Sequence, residues 1–195
     1  MNRSALAVSL LLLVLAGCGS KAPLLVPKDP EPPQAVSFSG LWQLRPGFAD
    51  TNRRIEELAG RASRDGGLIR TRTPDGEGRG RRQRKGSLMH VFLETGSALK
   101  ITQTDYALFI SFDRAVVEEY EFGEHGIVSI GEVTAERAAG WEGERFVIET
   151  ADDEGARLSE TYMLGGDGEV LVRSVSLLYR KQPPVELQQV FDRVE

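Results

Sequence analysis

The sequence predicts a single mainly β domain: an antiparallel meander of about nine strands, rolled into a barrel or half-barrel, with one or two short helices near its N-terminal side. Three observations predict it. From Ala98 onward the chain is a series of alternating segments of roughly five to eleven residues, separated by turn residues. No helical stretch long enough for a parallel crossover divides them. Neither side of the later segments is purely apolar: in Val170 to Leu177, Arg173 shares a side with Leu171, Val175 and Leu177, as a roomy barrel interior allows. With 41% hydrophobic and 27% charged side chains over 195 residues, the composition is that of an ordinary globular chain. A net charge of −5 speaks against a general nucleic-acid binder.

Residues 1 to 18, MNRSALAVSLLLLVLAGC, put Arg3 ahead of an apolar run from Ala5 to Ala16. That run is too short to cross a ~30 Å hydrocarbon core, so 1–17 reads as a cleaved signal peptide. Leu15, Ala16, Gly17 and Cys18 resemble the lipobox of bacterial lipoproteins. The resemblance implies a diacylglycerol on the Cys18 thiol and a palmitate-type acyl chain on the new N-terminus. Each buried CH₂ adds roughly 0.8 kcal/mol, so two or three chains anchor stably. Gly19 follows, which in that family implies sorting to the outer membrane, with the domain on the periplasmic face. Cys18 is the only cysteine, which excludes an internal disulfide framework and a Cys-rich zinc site.

Pro23, Pro27, Pro30, Pro32 and Pro33 crowd the stretch 18–35, which predicts an extended tether outside the core, with a reach of roughly 50 Å. The domain proper is expected over 36–195. Its first strand is Val36 to Leu44. Ala49 to Ala62 reads as a helix: Asp50 or Thr51 can cap it, Ile55, Leu58 and Ala59 share a face, and Gly60 weakens its end. A basic insertion follows at about 61–86, with nine basic residues against three acidic, and without the periodic apolar positions that a packed segment needs. Ser87 to Thr95 fits a helix through Leu88, Val91 and Phe92, or a strand through Met89, Val91 and Leu93; the helix is favoured.

The remaining strands are Leu99 to Gln103, Ala107 to Phe112, Ala115 to Phe122, Ile127 to Ala139 with a bend at Gly131, Arg145 to Thr150, Arg157 to Leu164, Val170 to Tyr179 and Glu186 to Arg193. Gly40, Leu41 and Trp42 on the first strand resemble the G-x-W start of lipocalin-type barrels, in which the Trp closes one end under a late-strand Arg. Arg180 or Arg193 can supply that cation. GWEGERFVIET at 140–150, with Glu160, Thr161, Tyr162 and Asp167, Gly168, is similar to a recurrent domain of uncharacterised bacterial secreted and lipoproteins, which implies a lipocalin-like β-domain and carries over no catalytic residues.

No nucleophile elbow, phosphate-binding loop or metal-spaced histidine pair appears, so an enzyme is not expected and neither a cofactor nor a metal is called for. His125 falls in an expected turn, and Asp152, Asp153, Glu154 and Gly155 read as an acidic hairpin turn. On a strand, Glu119 and Glu121 share one face and Glu118 the other. The functional expectation is noncatalytic binding of a small apolar ligand or lipid inside the barrel, lined by Trp42, Trp141, Tyr106 and Tyr162. The alternative is an envelope interaction or structural module in which Arg79, Arg81, Arg82, Arg84 and Lys85 contact an anionic polymer or protein partner. No aromatic residue is interleaved with these cations, which speaks against a nucleic-acid partner.

Overall fold

The computed structural model describes residues 25–65, 89–179 and 183–194. Cys18 and the basic cluster Arg79, Arg81, Arg82, Arg84 and Lys85 lie outside them. Ten strands form one antiparallel sheet: β1 (Gly40–Leu44), β2 (Ala98–Gln103), β3 (Ala107–Phe112), β4 (Val116–Glu121), β5 (Glu124–Ile130), β6 (Val133–Glu142), β7 (Arg145–Ala151), β8 (Arg157–Gly165), β9 (Val170–Leu178) and β10 (Val185–Val194). Their order, β4-β3-β2-β1-β10-β9-β8-β7-β6-β5, is that of a lipocalin-like barrel whose first strand pairs with its last. The two sheet ends, β4 and β5, are consecutive in the chain, and no pairing joins them.

The expected strand from Ile127 to Ala139 is two strands. Gly131 at φ +59° makes a tight turn rather than a bend, and seven residue pairs zip β5 onto β6. This also moves His125 out of a turn and into β5, where its Nε2 meets Glu136 Oε1 at 2.9 Å. The acidic turn is as read: Asp152 Oδ1 accepts from the Glu154 and Ala156 amides.

The described helices between β1 and β2 lie at one end of the barrel. There the helix α1 (Ala49–Asp65) and a short 3₁₀ helix, Met89–Phe92, pack Ile55, Met89 and Phe92 onto Ala135, Leu158, Val175 and Leu177. Ile55 is wholly buried, which is why the helical face read from the sequence forms. Of the segment Ser87 to Thr95, residues 89–95 are described, and they are helical over this one 3₁₀ turn before an irregular stretch that leads to β2.

The opposite end is plugged by aromatic side chains. Phe38 stacks on Trp141 (centroids 5.6 Å apart, 13° between planes), and Phe122 and Phe146 meet the same indole edge-on at 5.5 and 5.4 Å. Trp42 is buried beneath Arg193, whose guanidinium sits 4.2 Å from the ring centroid, so of the two arginines allowed by the sequence Arg193 is seen in this place. Arg193 is fixed by donating to Ser39 O at 2.7 Å and Gly168 O at 3.0 Å. A Cβ at residue 40 would lie 2.4 Å from Arg193 Nη1, and Gly40 is at φ +153°. Gly40→Ala is therefore expected to destabilise the domain by about 1–3 kcal/mol. Thermal melting by circular dichroism checks it, and an unchanged midpoint would contradict the reading.

The described part of the proline-rich segment does not stand clear of the core. Leu25 is buried between the outward-facing Ala138 and Ala151, and its amide donates to Glu136 Oε1 at 2.9 Å. Lys28 bridges Glu142 at 2.6 Å and Glu149 at 2.8 Å. Asp29 exchanges backbone hydrogen bonds with Trp141 at 3.2 and 2.9 Å, and Pro30 sits against Gly123. Residues 25–30 are thus a strap across the outside of β6 and β7, and the chain then turns in to the plug, where Val36 and Phe38 meet Gln103. Small residues let it approach: a Cβ on Gly140 would stand 2.7 Å from Asp29 O.

Candidate functional site

Inward positions follow from the pleat. On β4, β5 and β6 they include Glu118, Tyr120, Glu124, Arg137 and Ala139; on β8, β9 and β10 they include Glu160, Tyr162, Arg173 and Gln189. The barrel interior therefore has an aromatic half at the plugged end and a charged half between it and α1.

At the centre lies Arg173, fully buried, whose Nε donates to Glu160 Oε2 at 2.9 Å while Nη2 bonds the same oxygen. Its remaining donors go to Gln189 Oε1 at 3.0 Å and to the Glu94 carbonyl at 2.8 Å. Burial opposes the Arg173 charge, but Glu160 at contact distance, Tyr162 and Tyr120 together outweigh it, so the guanidinium is held firmly protonated. Gln189 passes the network on to Asn52 of α1 at 2.7 Å, and Thr95 joins at Asn52 Oδ1. Tyr162 donates to Glu160 Oε2 at 3.3 Å, and burial pushes the phenols of Tyr120 and Tyr162 up. This network fastens the helical cap to the interior.

Arg137 is the second interior cation. It is 8% exposed, its guanidinium lies 5.4 Å from the Tyr120 ring centroid and 5.8 Å from that of Phe92, and its Nε has no hydrogen-bond partner among the described residues. Glu118 and Glu124 face it electrostatically from the two strands that flank the open seam. Desolvation raises both carboxyls, with Arg137 pulling the other way. Glu94 is raised by burial and then by Glu118 and Glu160. A carboxyl raised in the fold holds its proton more tightly folded than unfolded, so the fold is penalised above the raised value and relieved below it. Stability is expected to rise as pH falls from neutrality toward the ordinary glutamate value of 4.5. Glu118→Gln should raise the neutral-pH melting temperature and flatten that slope; parallel pH profiles for the two proteins would refute the assignment.

The four aromatic residues expected to line a pocket do not converge. Trp42 and Trp141 are structural members of the plug, Tyr106 is 61% exposed at the β2–β3 turn, and Tyr162 belongs to the Arg173 network. On the outside of β1 and β2, Leu41, Gln43, Lys100 and Arg114 border a depression of about 110 Å³. That is well below the several hundred Å³ of ordinary ligand sites. The interior charges were partly visible in the alternation, since Arg173 falls among Leu171, Val175 and Leu177. Arg137 was hidden in a segment read as one long strand.

No protein-family model matches the chain, and no curated protein matches it in sequence. Among solved structures it is similar to a secretory abundant heat soluble protein from Ramazzottius varieornatus at 12% identity and a TM-score of 0.45, covering 80% of this chain and 95% of that one. Apo lipid binding protein 8 from Caenorhabditis elegans aligns at 12% identity and a TM-score of 0.43, over 80% and 95%. Zebrafish ileal bile acid-binding protein complexed with cholic acid aligns at 11% identity and a TM-score of 0.43, over 80% and 98%. The fold class itself rests on the strand pairing: a mainly β, antiparallel, lipocalin-like barrel.

Proposed function

We propose that the chain is an outer-membrane lipoprotein, acylated at Cys18, whose barrel binds a small apolar molecule or lipid without catalysis. The observation that carries the binding reading is Arg137: an almost wholly buried guanidinium with an unmet donor, beside a seam where the barrel wall is not zipped. A buried donor without a partner costs about 1–3 kcal/mol, which a polar head on a bound guest would recover. The Tyr120 and Phe92 rings hold the guanidinium in place from their faces. The guest's polar head would meet Arg137 in the charged half, under α1.

The test is a titration of the lipid-stripped protein with a fluorescent long-chain acyl probe, on parent and Arg137→Gln. Saturable binding is expected, weakened roughly tenfold by the substitution, equivalent to about 1.4 kcal/mol. No saturable binding by the folded parent to acyl, sterol or lysophospholipid probes would end the reading. Anchoring is checked separately: the mature protein from bacterial membranes should carry the diacylglyceryl mass at Cys18, and Cys18→Ser should release it to the soluble fraction.

A further inference from the structure

From the strap we infer that the barrel sits side-on to the bilayer, with the open β4–β5 seam facing the lipid surface and β1 facing away. This rests on the acylation of Cys18 proposed above. Cys18 and Leu25 are seven residues apart, so the link between them spans at most about 25 Å even fully extended. Leu25 is itself pinned over Ala138 and Ala151, on the outer face of β6 and β7. The anchor therefore keeps this wall of the barrel within about 25 Å of the membrane.

The sheet order puts β5 and then the seam on one flank of that wall and β8 on the other. β5 is the neighbour of β6, and the seam follows immediately, whereas β1 is five strand positions from β6 by either route. The exposed side chains agree. Val26 on the strap, Val117 on β4 and Ile127 on β5 are 72%, 65% and 70% exposed. These unpaired edges offer an apolar strip to the interface, where bare strand edges in water invite association. Glu119 and Glu121 stand on the same outer side of β4, which favours a zwitterionic surface over an anionic one. The consequence is functional: a lipid guest can pass between bilayer and barrel through the seam, beside Arg137, without crossing open water.

The experiment uses full-length acylated protein in phosphatidylethanolamine-rich vesicles that contain headgroup spin-labelled lipid. A fluorophore is placed at Ile127→Cys on β5 or at Lys100→Cys on β2, both at exposed positions. Quenching several-fold stronger at residue 127 than at residue 100 is expected. Equal or inverted quenching overturns the orientation while leaving acylation and ligand binding standing. Inserting about 20 Gly and Ser residues after Gly19 should bring the two labels toward equality, because a flexible link removes the constraint. An unchanged ratio would overturn the short link as its cause. Absence of the diacylglyceryl mass on Cys18 would overturn both the anchor and the orientation, and the binding titration would be unaffected.

Discussion

Replacing Glu160 by Leu should destabilise the domain by about 3–5 kcal/mol, because it strands a buried guanidinium without its counter-charge. Arg173 is wholly inside, and Glu160 Oε2 takes two of its donors as well as the Tyr162 hydroxyl. Water cannot replace that oxygen without opening the barrel. For a domain of this size the loss corresponds to a fall in melting temperature of about 10 °C or more. The companion variant decides the cause. Glu160→Leu with Arg173→Met removes both charges and should regain most of the stability, since a well-packed apolar pair substitutes for a buried ion pair at little or no net cost. Urea unfolding of the three proteins measures this. A single variant as stable as the parent, or a double variant no better than the single one, would show that the pair is not the central strut.

The same network carries a second consequence. Gln189 links Arg173 to Asn52, so loss of Glu160 should also loosen α1 over the barrel end. Amide exchange in α1 should then quicken more than in β6, which has no bond to the network.

Much of this architecture was legible because strands declare themselves by alternation. The segments that became β2, β3, β7, β8 and β9 need no partner to be read, and the outward pair Glu119 and Glu121 against inward Glu118 follows from the pleat alone. What stayed hidden depends on register or on distant partners. Gly131 could mark either a bend or a turn, and only the pairing of Ile130 with Val133 distinguishes them. Glu160 and Arg173 are both inward-facing, but their contact requires the β8–β9 register, in which Tyr162 opposes Arg173. The strap is the plainest case. Its prolines read as an extended chain, while the residues that capture the described part, Glu136, Glu142 and Glu149, are more than 100 positions away. An extended segment and a free one have the same local sequence; burial of Leu25 is what separates them.

Phe38→Ala tests that separation and should be the other large loss, about 3–5 kcal/mol, from the removed ring and the cavity left behind. The side chain is fully buried, stacked on Trp141, and its backbone is held at both sides: the amide donates to Gln103 Oε1 at 2.9 Å, and the carbonyl accepts from Trp42 Nε1 at 3.0 Å. Those backbone bonds survive the substitution, so the loss reports the ring. Trp141 then meets solvent on the vacated face, and its fluorescence should shift to the red before any global unfolding. Phe38→Leu, which refills most of the volume, should recover more than half of the stability. The outcome bears on function as well as folding. If Phe38→Ala costs less than about 1 kcal/mol, the chain before β1 is not part of the plug. The strap would then be free to peel from β6 and β7, and the reach of the anchor would return toward the roughly 50 Å of an unconstrained proline-rich tether. The seam could then turn in any direction. If the full cost is found, the chain is locked between Leu25 and Phe38, as the proposed orientation requires.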